Sequence, residues 1–331
     1  MYAYTDKKLY GQGYKVLTEE EMDRIQDSSL EILREVGVYM GSKDAQDYMD
    51  SVGCIVDRET GIVKIPSNVV LDALDSIPKL PEGMTIPIFG RDGQVLIPEY
   101  GANEVNLSCS GVCTNYLDPF TGERRLPTFK DVCDTAKICD AVPEIINYQI
   151  AVSAEDVPKP LMVLFQHAAI VENFTKLISN MNQDTWVFEK QLDIVEACAG
   201  GPEQLREKPF FGYGLDPISP LAFDTAELDM TIQSIKRTGV APCVFTDMMA
   251  GATGPATLAG ALVVTTAECL AGLVFTQAIE KGCVPSIGTS SSFFDMKNMI
   301  SPIGAAEHAL FTVATGQFAQ RWGVGCTAGG T

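Results

Sequence analysis

Histidine is nearly absent from this 331-residue chain, with two copies, and tryptophan is as scarce. A zinc centre would have to draw on His167, His308 and scattered cysteines. The ten cysteines fall at spacings such as Cys109-x3-Cys113 and Cys133-x5-Cys139, neither of which is a zinc pattern. They read as reduced structural thiols of a cytoplasmic protein, and no bound metal is expected. Basic residues are also short: 24 Lys and Arg stand against 43 Asp and Glu, a formal net charge of −19. That charge repels phosphate backbones and argues against nucleic acid as a partner. No charged segment leads into an apolar one at the start, so no secretory signal is expected. The longest apolar stretch, 257–280, is interrupted by Glu268. A glutamate is costly in lipid, so the stretch reads as a buried protein helix, with no membrane as partner.

What the chain does have is apolar mass, 46% of its residues, unevenly distributed. Residues 1–60 carry 20 charged side chains and residues 241–331 carry eight. The front therefore reads as a solvated helical cap and the back as core or subunit interface, which favours a homo-oligomer. In "LTEEEMDRIQDSSLEILREVGV", Thr18 and Glu21 form a capping box that satisfies two orphan backbone donors. Met22, Ile25, Ile32, Leu33 and Val36 make one apolar stripe, and Gly37 stands where a helix ends. A second amphipathic segment (42–52), two short strands at "CIVD" and "GIVKIP" and a helix at 67–77 follow. Residues 1–100 are expected to form an α+β extension.

From about residue 145 the pattern becomes regular. Apolar, β-rich runs occur at 145–153, 175–181, 210–217, 241–249, 284–292 and 323–331, with helical segments between them. One of those helices is capped by the Asp224–Glu227 segment, carries Leu228, Ile232 and Ile235 inward, and stops at Gly239. Continuous apolar strands at βα-unit spacing predict a parallel sheet covered on both faces. A doubly wound sheet and a (β/α)8 TIM-type barrel both fit. The barrel is preferred, because polar and glycine residues cluster after the strand ends, in "DPISP", "DMMAGATGP", "SSSFFD" and "AGGT". About six βα units are present, so the barrel over 101–331 is expected to be incomplete, short of units at its carboxyl end.

Several segments resemble the trimethylamine:corrinoid methyltransferase family. They are the front helix "LTEEEMDRIQDSSLEILREVGV", "LDPFTGERRLPTFKDVCDTAKICDAVPEI" (117–145), "MMAGATGPATLAGALVVTTAECLAG" (248–272) and "FFDMKNMISPIGAAEHALFTVATGQFAQRWGVGCTAGG" (293–330). The resemblance implies a (β/α)8 barrel that moves a methyl group from a methylated amine to the cobalt of a separate small corrinoid protein. It also implies pyrrolysine after a glycine-rich turn at a strand's carboxyl end. The expectation is that this residue follows Thr331, its amber codon having been read as a stop. No cofactor is expected to be bound directly, since the corrinoid belongs to the partner.

Displacing a methyl group from a tertiary amine needs a quaternised, cationic nitrogen, so the site must hold positive charge and exclude water. Asp216 and Asp247 each end an apolar strand and are the candidates for that role, the alternative being that either caps its loop. Tyr213, Met248 and Phe293 are candidates for an apolar box around the methylated nitrogen, or else ordinary core. Ser290, Gly330 and Thr331 complete the expected substrate pocket. "GATGPAT" (251–257) lacks the lysine of a phosphate loop and reads as a tight strand-to-helix turn, with Pro255 at the first helical position. Glu307 and His308 read as packing and capping, Arg124 and Arg125 as a solvated loop. Three rivals remain: a glycine betaine-type methyltransferase, a Schiff-base aldolase and an inactive fragment. The aldolase lacks its lysine, since Lys176 starts a strand and Lys297 lies past the fifth strand's loop.

Overall fold

The computed structural model describes residues 9–10, 13–78, 88–97, 104–109, 111–180 and 184–329. The chain divides into two compact units, one made of 1–14, 80–182 and 186–212, the other of 15–79, 183–185 and 213–331.

The second unit begins with α1 (Glu19–Glu35), and both halves of the Thr18–Glu21 capping box are formed. Its inward stripe is Met22, Ile25, Leu30 and Leu33, whereas Val36, expected on that stripe, is 57% exposed because the helix has already ended there. Gly37 follows at φ 83°, a conformation that favours glycine, and a Cβ there would sit 2.5 Å from the Val63 carbonyl oxygen. Next come β1 (Val38–Met40), α2 (Lys43–Ser51), β2 (Ile55–Asp57), β3 (Ile62–Lys64) and α3 (Ser67–Ser76). Strand β3 pairs antiparallel with both β1 and β2.

The first unit contains β4 (Leu107–Cys109), α4 (Phe129–Asp140), β5 (Ile145–Tyr148), α5 (Met162–Asn173), β6 (Leu177–Asn180) and most of α6 (Thr185–Ala199). Strands β4 and β6 both run parallel to β5. The apolar runs predict six parallel strands, and β4 is a seventh among the described residues. Only three residues long, with Leu107 exposed, it has no continuous apolar run to mark it.

The second unit resumes within β7 (Phe211–Leu215), then β8 (Ala222–Phe223), α7 (Thr225–Thr238), β9 (Cys243–Thr246), β10 (Met249–Ala250) and α8 (Leu258–Ile279). It closes with β11 (Ser286–Thr289), β12 (Ser292–Phe293), α9 (Ala306–Trp322) and β13 (Gly325–Ala328). Strands β7, β9, β11 and β13 are parallel neighbours in that order. Short β8 leaves them to pair with β1. Alternating parallel strands and helices, seven strands in all among the described residues, make a mixed α/β fold compatible with a TIM-type barrel.

Helix α8 is the core of this unit. It is apolar on all sides, and 78% of its most hydrophobic stretch is buried. A helix with no polar face must be covered all round, and α1, α2, α3 and β9 pack against it. Buried Ser29 of α1 donates to the Val263 carbonyl oxygen at 2.8 Å. Gln317 of α9 accepts from the Val16 and Leu17 amides at 2.8 and 3.0 Å and donates to the Leu17 carbonyl at 2.8 Å. The charged front segment is thus fastened to the apolar back of the same unit.

Candidate functional site

Strand residues alternate between two faces, and in β7, β9 and β11 the faces differ in chemistry. One face meets the helices. Val244 lies so close to α8 that a Cβ on Gly272 would approach its Cγ2 to 2.6 Å. Leu215 and Ile287 are buried in the same core. Tyr213 belongs to this face too, its hydroxyl donating to Thr231 of α7. Thr246 and Thr289 bond each other at 3.1 Å, and Ser291 donates to the Thr246 carbonyl oxygen at 3.2 Å.

The opposite face carries Gly214 from β7, Cys243 and Phe245 from β9, and Ser286 and Gly288 from β11, and the residue just after each strand, Asp216, Asp247 and Ser290, continues the alternation. The registers Gly214↔Cys243, Cys243↔Ser286 and Phe245↔Gly288 place them in neighbouring rows. A Cβ on Gly214 would stand 2.8 Å from an Asp216 carboxylate oxygen, and one on Gly288 would collide with the Phe245 ring and lie 2.7 Å from the Thr327 carbonyl oxygen. The glycines make room for an aromatic ring and a carboxylate on this face. Phe245 is the aromatic residue that shares a face with the two aspartates. The period of two in "CVFTD" marks it: residues 243, 245 and 247 point one way.

At the carboxyl ends of these strands, Asp216 and Asp247 face one another electrostatically. Burial, then the charge of Asp247, push the Asp216 carboxyl up to about 7. Ser290 Oγ donates to Asp247 Oδ1, tying β11 to β9 beyond their backbone ladder. A third carboxyl joins them from α7. Glu227 Oε2 accepts from the Asp216 amide at 2.9 Å, and burial followed by the charge of Asp216 push Glu227 up to about 8. The sequence pattern places Glu227 in a capping segment. Asp224 does cap α7, accepting from the Ala226 amide at 2.8 Å, but Glu227 reaches back to β7. Its signal in the sequence is an acid eleven residues after Asp216, in the first turn of the next helix.

Of the expected residues, the structure brings together Asp216, Asp247 and Ser290. The box of Tyr213, Met248 and Phe293 does not assemble. Tyr213 and Met248 stand at odd separations from Asp216 and Asp247, which turns them to the helix side. Met248 is fully buried, and a Cβ on Gly254 would run into its thioether. Phe293, in β12, pairs in register with Ala250 of β10 and packs on the core half-buried. Gly330 and Thr331 lie outside the described residues. Gly329, just before them, donates its amide to the Thr289 carbonyl at 3.0 Å, so β13 runs on beside β11.

The remaining motifs settle as structure. "GATGPAT" is a tight turn in which the Ala252 and Thr253 amides both return to the Met249 carbonyl. Thr257 is the N-cap of α8, so Pro255 precedes the helix and is not its first residue. His308 Nδ1 accepts from the Gly304 amide at 3.3 Å at the start of α9. In the first unit, Arg125 grips Asp131 through two bonds of 2.7 and 2.9 Å and lies 4.7 Å over the Tyr116 ring. Glu268, the acid inside α8, holds the loop after β7, accepting from Ser219 Oγ and the Leu221 amide at 2.9 Å each.

A family model described as trimethylamine methyltransferase (MTTB) matches residues 7–331. The chain belongs to this family. Among family relatives, the trimethylamine methyltransferase MttB of Desulfitobacterium hafniense (strain DSM 10664 / DCB-2) is 31% identical over 313 residues, 95% of this chain and 62% of the relative. That of Methanosarcina thermophila is 30% identical over 326 residues, 96% of this chain and 65% of the relative. A glycine betaine methyltransferase of Desulfitobacterium hafniense (strain Y51) is 27% identical over 325 residues, 96% of this chain and 64% of the relative. The chain therefore spans less than two thirds of the length of these family members.

Proposed function

We propose that the face bearing Asp216, Asp247 and Ser290 holds the cationic nitrogen of trimethylamine for methyl transfer to the corrinoid of a separate partner protein in the cytoplasm. The observation that carries this reading is the meeting of two aspartates at the carboxyl ends of adjacent parallel strands, a half-buried Asp216 lying in the field of an exposed Asp247 that Ser290 holds in place. Such a pair is electrostatically unfavourable until a cation lies against it. Ser290 fixes Asp247, the Glu227 side chain fixes the backbone of Asp216, and the Phe245 ring supplies an apolar wall suited to methyl groups.

A quaternised nitrogen departs as a neutral amine, and carboxylates beside it stabilise the positive charge in the bound state while orienting the methyl group outwards. These residues suit a small cation and do not suit a resident corrinoid: the cluster is acids and hydroxyls, with His167 and His308 on helices elsewhere. The partner's corrinoid supplies the nucleophile for the methyl group. Trimethylamine is favoured over glycine betaine because the charges acting on Asp216 and Glu227 are all acidic. A betaine carboxylate brought there would be repelled.

The test is Asp247→Asn in the protein that carries out methyl transfer to its corrinoid partner. Loss of a positioned charge costs about 100-fold or more in rate. An unchanged rate removes Asp247 from the mechanism, and faster turnover of glycine betaine than of trimethylamine moves the chain to the alternative substrate.

A further inference from the structure

We propose that Glu268 is a positioning residue of this site: from inside α8 it holds the loop that follows β7 and thereby sets where Asp216 stands. What that position serves rests on the reading of the site as a cation site; the hold on the loop does not.

Helix α8 carries one charged side chain in 22 residues, and it is buried completely. A carboxyl in such a place costs free energy unless its oxygens are bonded, and apolar packing around α8 does not require one. Both oxygens of Glu268 are spent on the same loop. Oε2 accepts from Ser219 Oγ and Oε1 from the Leu221 amide, at 2.9 Å each. Leu221 has φ 60°, a left-handed conformation that is rare for leucine. Such backbone persists only where its surroundings fix it. Here the amide is bonded to Glu268, and the carbonyl oxygen accepts from the Tyr39 amide at 2.8 Å.

The loop is stiff enough to pass this hold on to Asp216. Ile218 and Ala222 exchange backbone hydrogen bonds, 2.7 Å from the Ile218 amide and 3.3 Å from the Ala222 amide, which closes the segment between them. Pro217 and Pro220 have fixed φ, and Asp216, standing before Pro217, is steered to extended backbone. Two residues separate Asp216 from the bonded Ser219. Release of Ser219 and Leu221 from Glu268 therefore moves Asp216 as well, since Glu227 holds only its amide. A carboxylate that retreats from about 4 Å to about 6 Å from a cation, at an effective dielectric of about 20, binds it about tenfold more weakly.

Two substitutions separate holding the loop from filling the core. In Glu268→Gln the amide oxygen still accepts from Leu221 and the amide nitrogen donates to Ser219 Oγ, so both bonds survive without charge. Glu268→Leu fills the position and keeps neither bond. Nitrogen-15 NMR of the backbone amides in the ligand-free protein reads the loop, and calorimetric titration with tetramethylammonium reads the site. Glu268→Leu is expected to shift the Asp216 amide resonance and to weaken tetramethylammonium about tenfold. Glu268→Gln keeps both close to wild type. Ser219→Ala, on the half-exposed side of the contact, removes one bond without touching α8 and gives an intermediate loss; it carries the test alone if Glu268→Leu does not fold. An Asp216 amide that stays put, or an affinity that stays whole, in the variants that break these bonds overturns the proposal. A loss as large in Glu268→Gln as in Glu268→Leu also overturns it, because the charge and not the bonds would then act. Failure of tetramethylammonium to bind the wild type overturns the cation reading, and the amide resonance then decides the hold on Asp216 by itself.

Discussion

The two faces of β7, β9 and β11 are made from interleaved residues of the same short segments, yet they do opposite work. On the helix side, Leu215, Val244 and Ile287 disappear into the core around α8, and even the hydroxyls of Thr246 and Thr289 satisfy each other. On the other side, glycines alternate with carboxyls, hydroxyls and one aromatic ring, and the polar groups meet at the strand ends. The first face supplies stability through apolar burial. The second gives some of it up, since desolvating Asp216 beside Asp247 costs free energy. The difference teaches where to look for function in such a sheet: on the face where side-chain volume is small and charge is crowded.

Three changes test this division, in falling order of size. Phe275→Ala empties part of the α8 core, where the ring is fully buried, and is expected to cost about 3–5 kcal/mol in a denaturant melt. A loss under about 1 kcal/mol would mean that α8 is not the keystone of this unit.

Gly288→Ala addresses the opposite face. The added methyl meets the Phe245 ring and the Thr327 backbone, so about 1–3 kcal/mol should be lost, with displacement of Phe245 visible in ring NMR shifts. A neutral result would show that the glycine is not there to admit the ring.

The third change is a pH profile. Burial raises Asp216 from 3.8 to about 7, Glu227 from 4.5 to about 8 and Glu268 from 4.5 to about 7. An acid whose folded value is raised contributes stability below its unfolded value, and that contribution is lost as pH climbs to the folded value. The melting temperature should therefore fall between about pH 4 and pH 8. Asp216→Asn should flatten the slope and stabilise the protein by about 1–3 kcal/mol at neutral pH, with little gain near pH 4. A wild-type melting temperature that rises over the same range would contradict the burial of these carboxyls.

Much of the fold was readable from local pattern. The Thr18–Glu21 box and the Asp224 cap are contacts within a few residues, so their chemistry is written in the spacing. The later six parallel strands announced themselves by continuous apolar runs, whereas β4 did not, being short and half-exposed. At the site, Asp216 and Asp247 were legible because strand ends are legible. Tyr213 and Met248 were misplaced because apolar character was weighed above strand parity. Glu227 was hidden by resembling a helix cap, a role its spacing permits and its actual partner, the Asp216 amide, denies.

By itself the sequence determined the elements, the family and the positions of two acids, because helix periods, caps and apolar runs are set by neighbours in the chain. Only the tertiary structure decided that Ser290 reaches Asp247 across 43 residues of sequence, that Glu227 turns from its own helix to β7, and that a charged front segment is pinned by Gln317. Those contacts depend on strand register and helix packing. A carboxyl's proton affinity follows from what surrounds it in space, and burial brings those surroundings from distant parts of the chain.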